Sequence, residues 1–242
     1  MATPISVEHL GRVGSTQDEA RSRFAGIPIL VTATGQDAGR GRSGASWLDA
    51  DRSLAASVAL APGWDAESLP KLMLVAGLAA LDVLPSGIGL KWPNDLVREG
   101  IKVGGMLAEA AADVVVIGLG LNVYWESPPS GMGGLHVSDP GPGHAPRLAE
   151  HWAGAVLERV ARGPDDWGRE EYLRRCVTIG TAITWAPEGA GMATGVGEDG
   201  SLLVDTGAGR RRLHSGAITE VRSRGSGTLP AADREKRERI EG

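Results

Sequence analysis

Cysteine is almost absent from this sequence, because Cys176 is the only one among 242 residues. A single cysteine excludes an internal disulfide framework and a cysteine-based zinc site, and it fits a protein of the reducing cytosol. Aromatic side chains are also scarce, since the chain has only seven Trp, two Tyr and one Phe. Most aromatic contacts therefore fall to tryptophan.

The sequence also lacks an excess of positive charge and a long apolar run. The formal net charge is −5, which argues against a general nucleic-acid-binding protein, since such proteins carry a basic face. No stretch approaches the length of a membrane span, and the N-terminus lacks the charged-then-apolar pattern of a signal peptide. With 42% hydrophobic residues the chain can bury a core. We expect a cytoplasmic protein with one large domain, or with a medium and a small one.

Hydrophobic periodicity predicts helices and short strands in both halves of the chain. The pattern gives a capped helix from Ser15 or Thr16 to Gly26, and further helices over 68–84, 146–162 and 165–176, the last capped by Asp165 or Asp166. It gives strands over 28–34, 53–60 and four short segments between 89 and 119, which suggests antiparallel pairing. Residues 35–50 and 127–146 read as loops, and 177–221 as a small all-β module. The polar residues 224–242 predict a disordered tail.

The loop at 39–44 has the sequence Gly-Arg-Gly-Arg-Ser-Gly, whose glycines match the spacing of a dinucleotide fingerprint. A Rossmann loop presents bare backbone amides to phosphate and then opens a helix, whereas here no helical apolar period follows. Two of the intervening residues, Arg40 and Arg42, are arginines. Their guanidinium groups favour side-chain capture of a phosphate or a carboxylate.

Four further segments are weak signals when each is taken alone. The segment Lys-Trp-Pro-Asn-Asp at 91–95 could be an ordinary β-turn. Lys102 and the glycines that follow it could belong to a hairpin with an exposed lysine. Asn122 after a buried strand could be structural, and Ser15-Thr16-Gln17 could simply cap a helix, although free amides at a helix start also bind polar ligands.

Their joint identity and order resemble the biotin protein ligase family, densely over about residues 10–125 and more loosely to Val221. The resemblance implies an α+β fold with a catalytic domain similar to class II aminoacyl-tRNA synthetases, built on a mixed, largely antiparallel sheet, and a small C-terminal SH3-like β-barrel. We therefore expect a catalytic biotin- and ATP-binding domain over 1–176, the barrel over 177–223 and the tail over 224–242.

The resemblance also implies the chemistry. Enzymes of this family adenylate biotin with ATP and Mg²⁺, and then transfer biotin from biotinyl-5′-AMP to a lysine of a biotin carboxyl carrier protein. Lys102 and Arg42 would be the catalytic residues, and Asp95 would lie near the metal or ATP. The implied biotin-binding residues are Ser15, Thr16, Gln17, Gln36, Arg40, Gly41, Arg42 and Lys102. The implied nucleotide-binding residues are Trp47, which would stack on adenine, Lys91, Asn94, Asp95 and Asn122.

Three alternatives compete with this interpretation. A lipoate–protein ligase uses similar chemistry but normally shows a different glycine-rich arginine motif, and a biotin sensor would lack a catalytic residue. A Rossmann oxidoreductase is rejected because no crossover helix follows Gly44. The sequence departs from the family pattern at Gln17, where asparagine is common, at Ser43, and at Gly104, where alanine is common. With a capped helix near residue 15, we expect no helix-turn-helix domain and no repressor function. A homodimer is compatible with the resemblance.

Overall fold

A seven-stranded sheet forms the centre of the molecule, which is known from a computed structural model that describes residues 4–214 and 218–220. Its strand order is β1-β2-β3-β7-β6-β5-β4, with β1 parallel to β2 and every other neighbouring pair antiparallel. The strands are β1 (Ser6–Val13), β2 (Ile29–Gln36), β3 (Arg52–Leu60), β4 (Gly89–Lys91), β5 (Asp95–Arg98), β6 (Ile101–Ala111) and β7 (Val114–Tyr124).

Helices cover both faces of this sheet, which explains the nearly continuous apolar runs of its central strands. The helices are α1 (Thr16–Arg23), α2 (Lys71–Val83), α3 (His144–Val160) and α4 (Arg169–Arg175). On one face, Ala20 of α1 joins a small core with Ile29 and Val31. On the other face, α2 and α3 pack over Leu30 and its neighbours in the main core.

One buried arginine ties three helices together. Arg159 of α3 is only 5% exposed, and its guanidinium donates two hydrogen bonds to Asp82 at the end of α2, at 2.7 and 2.8 Å. It donates two more, both of 3.0 Å, to Glu171 of α4. These hydrogen bonds, above all those that Asp82 accepts, raise the pKa of Arg159 and keep it charged.

A second, five-stranded antiparallel sheet has the strand order β11-β10-β9-β8-β12. Its strands are β8 (Ala182–Trp185), β9 (Gly189–Val196), β10 (Leu202–Thr206), β11 (Gly209–Leu213) and β12 (Ile218–Glu220). Val196, Leu202 and Val204 of this sheet belong to the main core. The indole of Trp92 donates a 3.1 Å hydrogen bond to the carbonyl of Gly200, so the second sheet packs directly beside the β4–β5 turn.

The α+β class and the antiparallel pairing of the short strands are as the sequence predicts. The predicted helix over 165–176 is wrong at its start: α4 begins at Arg169 after Gly168, and both Asp165 and Asp166 lie in a preceding 3₁₀ turn (Pro164–Asp166). Strand β1 was not predicted. The predicted tail over 224–242 lies outside the described residues. No helix in the described part of the chain is long and apolar enough to span a membrane.

Candidate active site

A cavity of about 590 Å³ opens beside α1, the loop after β2, the β4–β5 turn and the glycine-rich parts of β6 and β7. Every residue that the sequence assigned to the site lines this cavity except Thr16, which lies directly behind it. The lining residues from that set are Ser15, Gln17, Gln36, Arg40, Gly41, Arg42, Trp47, Lys91, Asn94, Asp95, Lys102 and Asn122.

Lys102 is held in place from both sides. Its ammonium group forms a 2.6 Å ion pair with Asp95, across the pairing of β5 with β6. Its backbone N–H donates to the carbonyl of Gly131 (3.0 Å), and its carbonyl accepts from the N–H of Gly133 (2.9 Å). A Cβ at Gly105 would lie 3.4 Å from Asp95 Oδ1, so the glycine leaves the ion pair open to the cavity.

Arg42 contributes a second cation. Its Nη1 donates one long hydrogen bond of 3.4 Å to Asn94 Oδ1, and among the described residues it has no other side-chain partner. Burial lowers the pKa of Arg42, while the charge of Asp95 acts in the opposite direction. Asn94 is fixed by a 2.9 Å hydrogen bond from Nδ2 to the carbonyl of Met106. Most of the guanidinium donors of Arg42 are therefore available to an anion in the cavity.

A chain of hydroxyl groups orients Gln36. Both the backbone N–H and the Oγ1 hydroxyl of Thr16 donate to Gln36 Oε1, at 2.8 and 3.0 Å. The hydroxyl of Ser57 in turn donates to Thr16 Oγ1 at 2.8 Å. With its oxygen occupied, Gln36 presents its amide N–H groups to the cavity. Ser57 is fully buried and was missed by the sequence analysis, because only the tertiary pairing of β3 with α1 reveals it.

Gln17 presents the opposite chemistry. Its Nε2 donates to Glu109 (3.3 Å) and to the carbonyl of Val116 (3.4 Å). Its Oε1 is buried and has no partner among the described residues, which is unusual for an amide oxygen. A Cβ at Gly118 would lie 3.1 Å from this oxygen, so the glycine leaves room beside it. Gln17 is therefore placed to accept a hydrogen bond from a ligand N–H.

Trp47 lies flat on Gly120. A Cβ at that position would lie 2.7 to 2.9 Å from three consecutive atoms of the indole ring, and such similar distances indicate an approach to the ring face. The indole N–H is buried and has no partner among the described residues. Asn122 lies two residues further along β7 and donates from Nδ2 to the carbonyl of Gly133 at 3.1 Å.

The loop that carries the arginines is folded back on itself. Arg40 pairs with Ser46 in an antiparallel bridge, and the N–H of Gly41 donates to the carbonyl of Ala45 at 2.6 Å. The Arg40 side chain makes two 2.8 Å hydrogen bonds with Asp18 at the cavity wall, which hold the pKa of Asp18 below its usual range. The guanidinium expected to neutralise the ligand is thus already paired with α1.

Two relatives decide the family. The chain is 30% identical over 239 residues to a biotin--[acetyl-CoA-carboxylase] ligase of Mycobacterium tuberculosis, and the match covers 88% of each protein. It is also 30% identical to the ligase of the same name from Paracoccus denitrificans, over 86% of this chain and 98% of that protein. The chain belongs to the biotin protein ligase family.

Two further comparisons agree with this assignment. The model of the biotin/lipoate A/B protein ligase family matches residues 10–122 of this ligase. The solved biotin protein ligase from Aquifex aeolicus, in complex with biotin and ATP, superposes with a TM-score of 0.75 at 24% identity, over 90% of this chain and 99% of that one. This second likeness concerns the fold.

One departure of this ligase from the family pattern has a local structural reason. A Cβ at Gly104 would lie 2.5 Å from Leu121 Cδ2 and 2.8 Å from the carbonyl oxygen of Gly120. The alanine that is common at this position would therefore force β6 and β7 apart in this chain. The structure offers no comparable reason for Gln17 in place of asparagine.

Proposed function

We infer that this protein is a biotin–[biotin carboxyl-carrier protein] ligase, which adenylates biotin with ATP and passes the biotinyl group to a lysine of a carrier protein. The observation that carries this inference is the cavity itself. It combines two cations, Lys102 in its 2.6 Å ion pair with Asp95 and the available guanidinium of Arg42, with two side-chain amides. Gln17 offers an amide oxygen as acceptor, and Gln36 offers amide N–H groups as donors.

In the first step a biotin carboxylate oxygen bonds to the α-phosphorus of ATP, and the bond from that phosphorus to the β-phosphate bridging oxygen breaks. Pyrophosphate leaves and biotinyl-5′-AMP remains. Negative charge concentrates on the phosphoryl oxygens, so positioned cations lower the barrier. We assign this role to Lys102, oriented by Asp95, and to Arg42.

The uncharged ring of biotin needs an apolar slot with a few hydrogen-bonding groups for its ureido function. Ser15, Gln17 and Gln36 are proposed for this role, supported by Thr16 behind them. The orphaned Oε1 of Gln17 would accept from a ureido N–H, and the amide N–H groups of Gln36 would donate to an oxygen of the ligand.

We propose Trp47, Lys91, Asn94, Asp95 and Asn122 as the nucleotide side of the cavity. Base stacking on Trp47 is supported by the position of its ring in the cavity wall, packed on Gly120. The described residues hold no cluster of three or more His, Cys, Asp or Glu side chains that could cage a metal ion. A single cavity carboxylate, Asp95, fits Mg²⁺, which commonly binds one or two carboxylates together with substrate phosphates and would neutralise phosphate charge.

In the second step the neutral amine of an acceptor lysine attacks the acyl carbon of biotinyl-5′-AMP. A carbon–nitrogen bond forms, the bond from the acyl carbon to the phosphate oxygen breaks, and AMP leaves while the amine loses a proton. The adenylate is readily hydrolysed, so exclusion of water by the loop around Arg42 serves both steps. We predict that residues 35–50 become resistant to protease when biotin is added.

Several finer features are also proposals. We propose that the second sheet is the SH3-like barrel of a separate domain over 177–223, after a catalytic domain over 1–176 of the class II synthetase type. We further propose a cytoplasmic enzyme that acts on a biotin carboxyl carrier domain, forms a homodimer, and does not bind nucleic acid. The net charge of −5 supports the last point, and light scattering would test the dimer.

The test is pyrophosphate release from ATP and Mg²⁺ with biotin, lipoate or neither. We expect release with biotin alone, lost in K102A and retained in K71A. Lys71 is a suitable control because it lies in α2, where its ammonium donates to the carbonyl of Pro164 outside the cavity. Release with lipoate would assign the protein to the rival ligase. Biotin binding without any pyrophosphate release would indicate a sensor.

A further inference from the structure

Two carboxylates outside the assigned site converge on the loop that covers it. Arg40 makes a two-pronged contact with Asp18 of α1, and its Nη2 also donates to Glu109 Oε2 of β6 at 3.3 Å. The loop is therefore attached by one side chain to two separate elements. Of these three side chains, Arg40 is 37% exposed, Asp18 63% and Glu109 34%.

Glu109 has a second connection that an ordinary surface ion pair lacks. The oxygen that accepts from Arg40 also accepts from Gln17 Nε2 at 3.3 Å, and Arg21 Nη2 lies 3.9 Å from it. Gln17 lines the cavity, and its other amide atom is the orphaned acceptor. A single carboxylate oxygen thus links the loop to a side chain that faces the ligand.

We propose that Asp18 and Glu109 are positioning residues that hold the loop 39–47 closed through Arg40, and that Glu109 couples this closure to occupancy of Gln17 in the biotin site. The proposal rests on the function inferred above. A ligand N–H on Gln17 Oε1 polarises the amide and strengthens the donation from Nε2 to Glu109. By reciprocity, loop closure tightens ligand binding by the same factor by which bound ligand favours closure.

The chain offers a direct readout of closure, because Arg40 and Arg42 are themselves trypsin sites within the loop. We expect D18N and E109Q to be cleaved there about three- to tenfold faster than wild type without ligand, the effect expected for charge-assisted contacts at a partly exposed site. In E109Q, biotin should protect the loop less than in D18N, because only Glu109 contacts Gln17.

A kinetic split separates positioning from general damage. We expect D18N and E109Q to raise the KM for biotin by about the same three- to tenfold factor as cleavage, while kcat changes less than twofold. R40K keeps a positive charge but loses the two-pronged contact, so it should give an intermediate result. The matched control is E19Q, since Glu19 lies on the same helix but pairs with Arg23, away from the cavity. It should match wild type in cleavage and KM.

Cleavage and KM at wild-type levels in D18N and E109Q would overturn the proposal. A fall in kcat with unchanged cleavage would overturn it too, because the carboxylates would then act on the chemistry. Equal protection of D18N and E109Q by biotin would overturn the coupling. Tryptic cleavage without ligand needs no enzyme activity, so failure of the wild type to release pyrophosphate would refute the proposed function without deciding the role of these residues in closure.

Discussion

Replacing Gly120 by alanine should weaken nucleotide binding selectively. The new Cβ would lie 2.7 Å from the closest indole atom of Trp47, whereas non-bonded carbons rest at about 3.5 Å or more. The ring therefore has to recede by roughly 0.8 Å. Trp47 is only half-buried and lies on a loop, so it can move without disturbing the core. The damage should appear in ligand binding and not in folding.

The size of the effect follows from what the ring is proposed to do. Stacking of a base on an aromatic side chain contributes about 1–3 kcal/mol, which corresponds to roughly 5- to 150-fold in affinity. Because the ring is displaced and not removed, we expect G120A to raise the KM for ATP by about 5- to 30-fold. In a W47A background the same substitution should add almost nothing, since the clash is gone.

Gly118 supplies the matched control two residues along the same strand. A Cβ there would meet Gln17 Oε1 at 3.1 Å and leave the indole untouched, so G118A should raise the KM for biotin and not for ATP. Both variants are measured by pyrophosphate release with one substrate varied at a time. Equal increases in the two KM values for G120A, or none, would refute the placement of the base on Trp47.

Three other predictions concern the scaffold. R159A should lower the free energy of unfolding in urea by about 2–3 kcal/mol, which is less than the roughly 3–5 kcal/mol of a fully buried ion pair because both carboxylate partners reach water. A loss under about 0.5 kcal/mol would contradict this. Burial, helped by His144 and Arg98, lowers the pKa of His136 below 6.5. As the pH falls, the unfolded chain therefore binds a proton at His136 before the folded protein does. The free energy of unfolding of the wild type should decrease below about pH 6.5, and that of H136N should decrease less steeply. The same pH dependence in both proteins would show that His136 does not contribute. Burial also raises the pKa of the Cys176 thiol, so Ellman's reagent should react only after denaturation, and rapid reaction of the native protein would count against this burial.

The sequence was most informative where residue identity alone carries chemistry. Lys102, Asp95 and Arg42 could be assigned together because their motifs are specific, and all three line one cavity. Helix α2 was predicted from apolar residues at helical spacing, although the structure buries more than one face of it, since every residue from Leu74 to Ala80 is buried. Strand β1 was not, since its side chains are exposed or half-buried and show no regular alternation of apolar and polar residues.

Residues that act through a tertiary contact could not be found in advance. In the sequence Ser57 resembles any polar residue of a strand, and only the fold shows that its hydroxyl lies 2.8 Å from that of Thr16. Glu109 lies 69 positions from Arg40 and 92 from Gln17, so neither spacing nor periodicity relates them. Arg40 shows the converse limit, since its motif predicts a ligand contact while the fold supplies Asp18 as a partner.

The cavity takes part of its wall from the second sheet, because Ile218 of β12 lines it and Trp92 is hydrogen-bonded to Gly200. A substrate that fills the cavity would contact both sheets and stabilise them together. Ligand at a hundred times its Kd adds about 2.7 kcal/mol to the stability of the state that binds it. We expect the cellular lifetime of this protein to depend on its substrate supply. Cells that are starved of biotin should degrade it faster than cells with ample biotin.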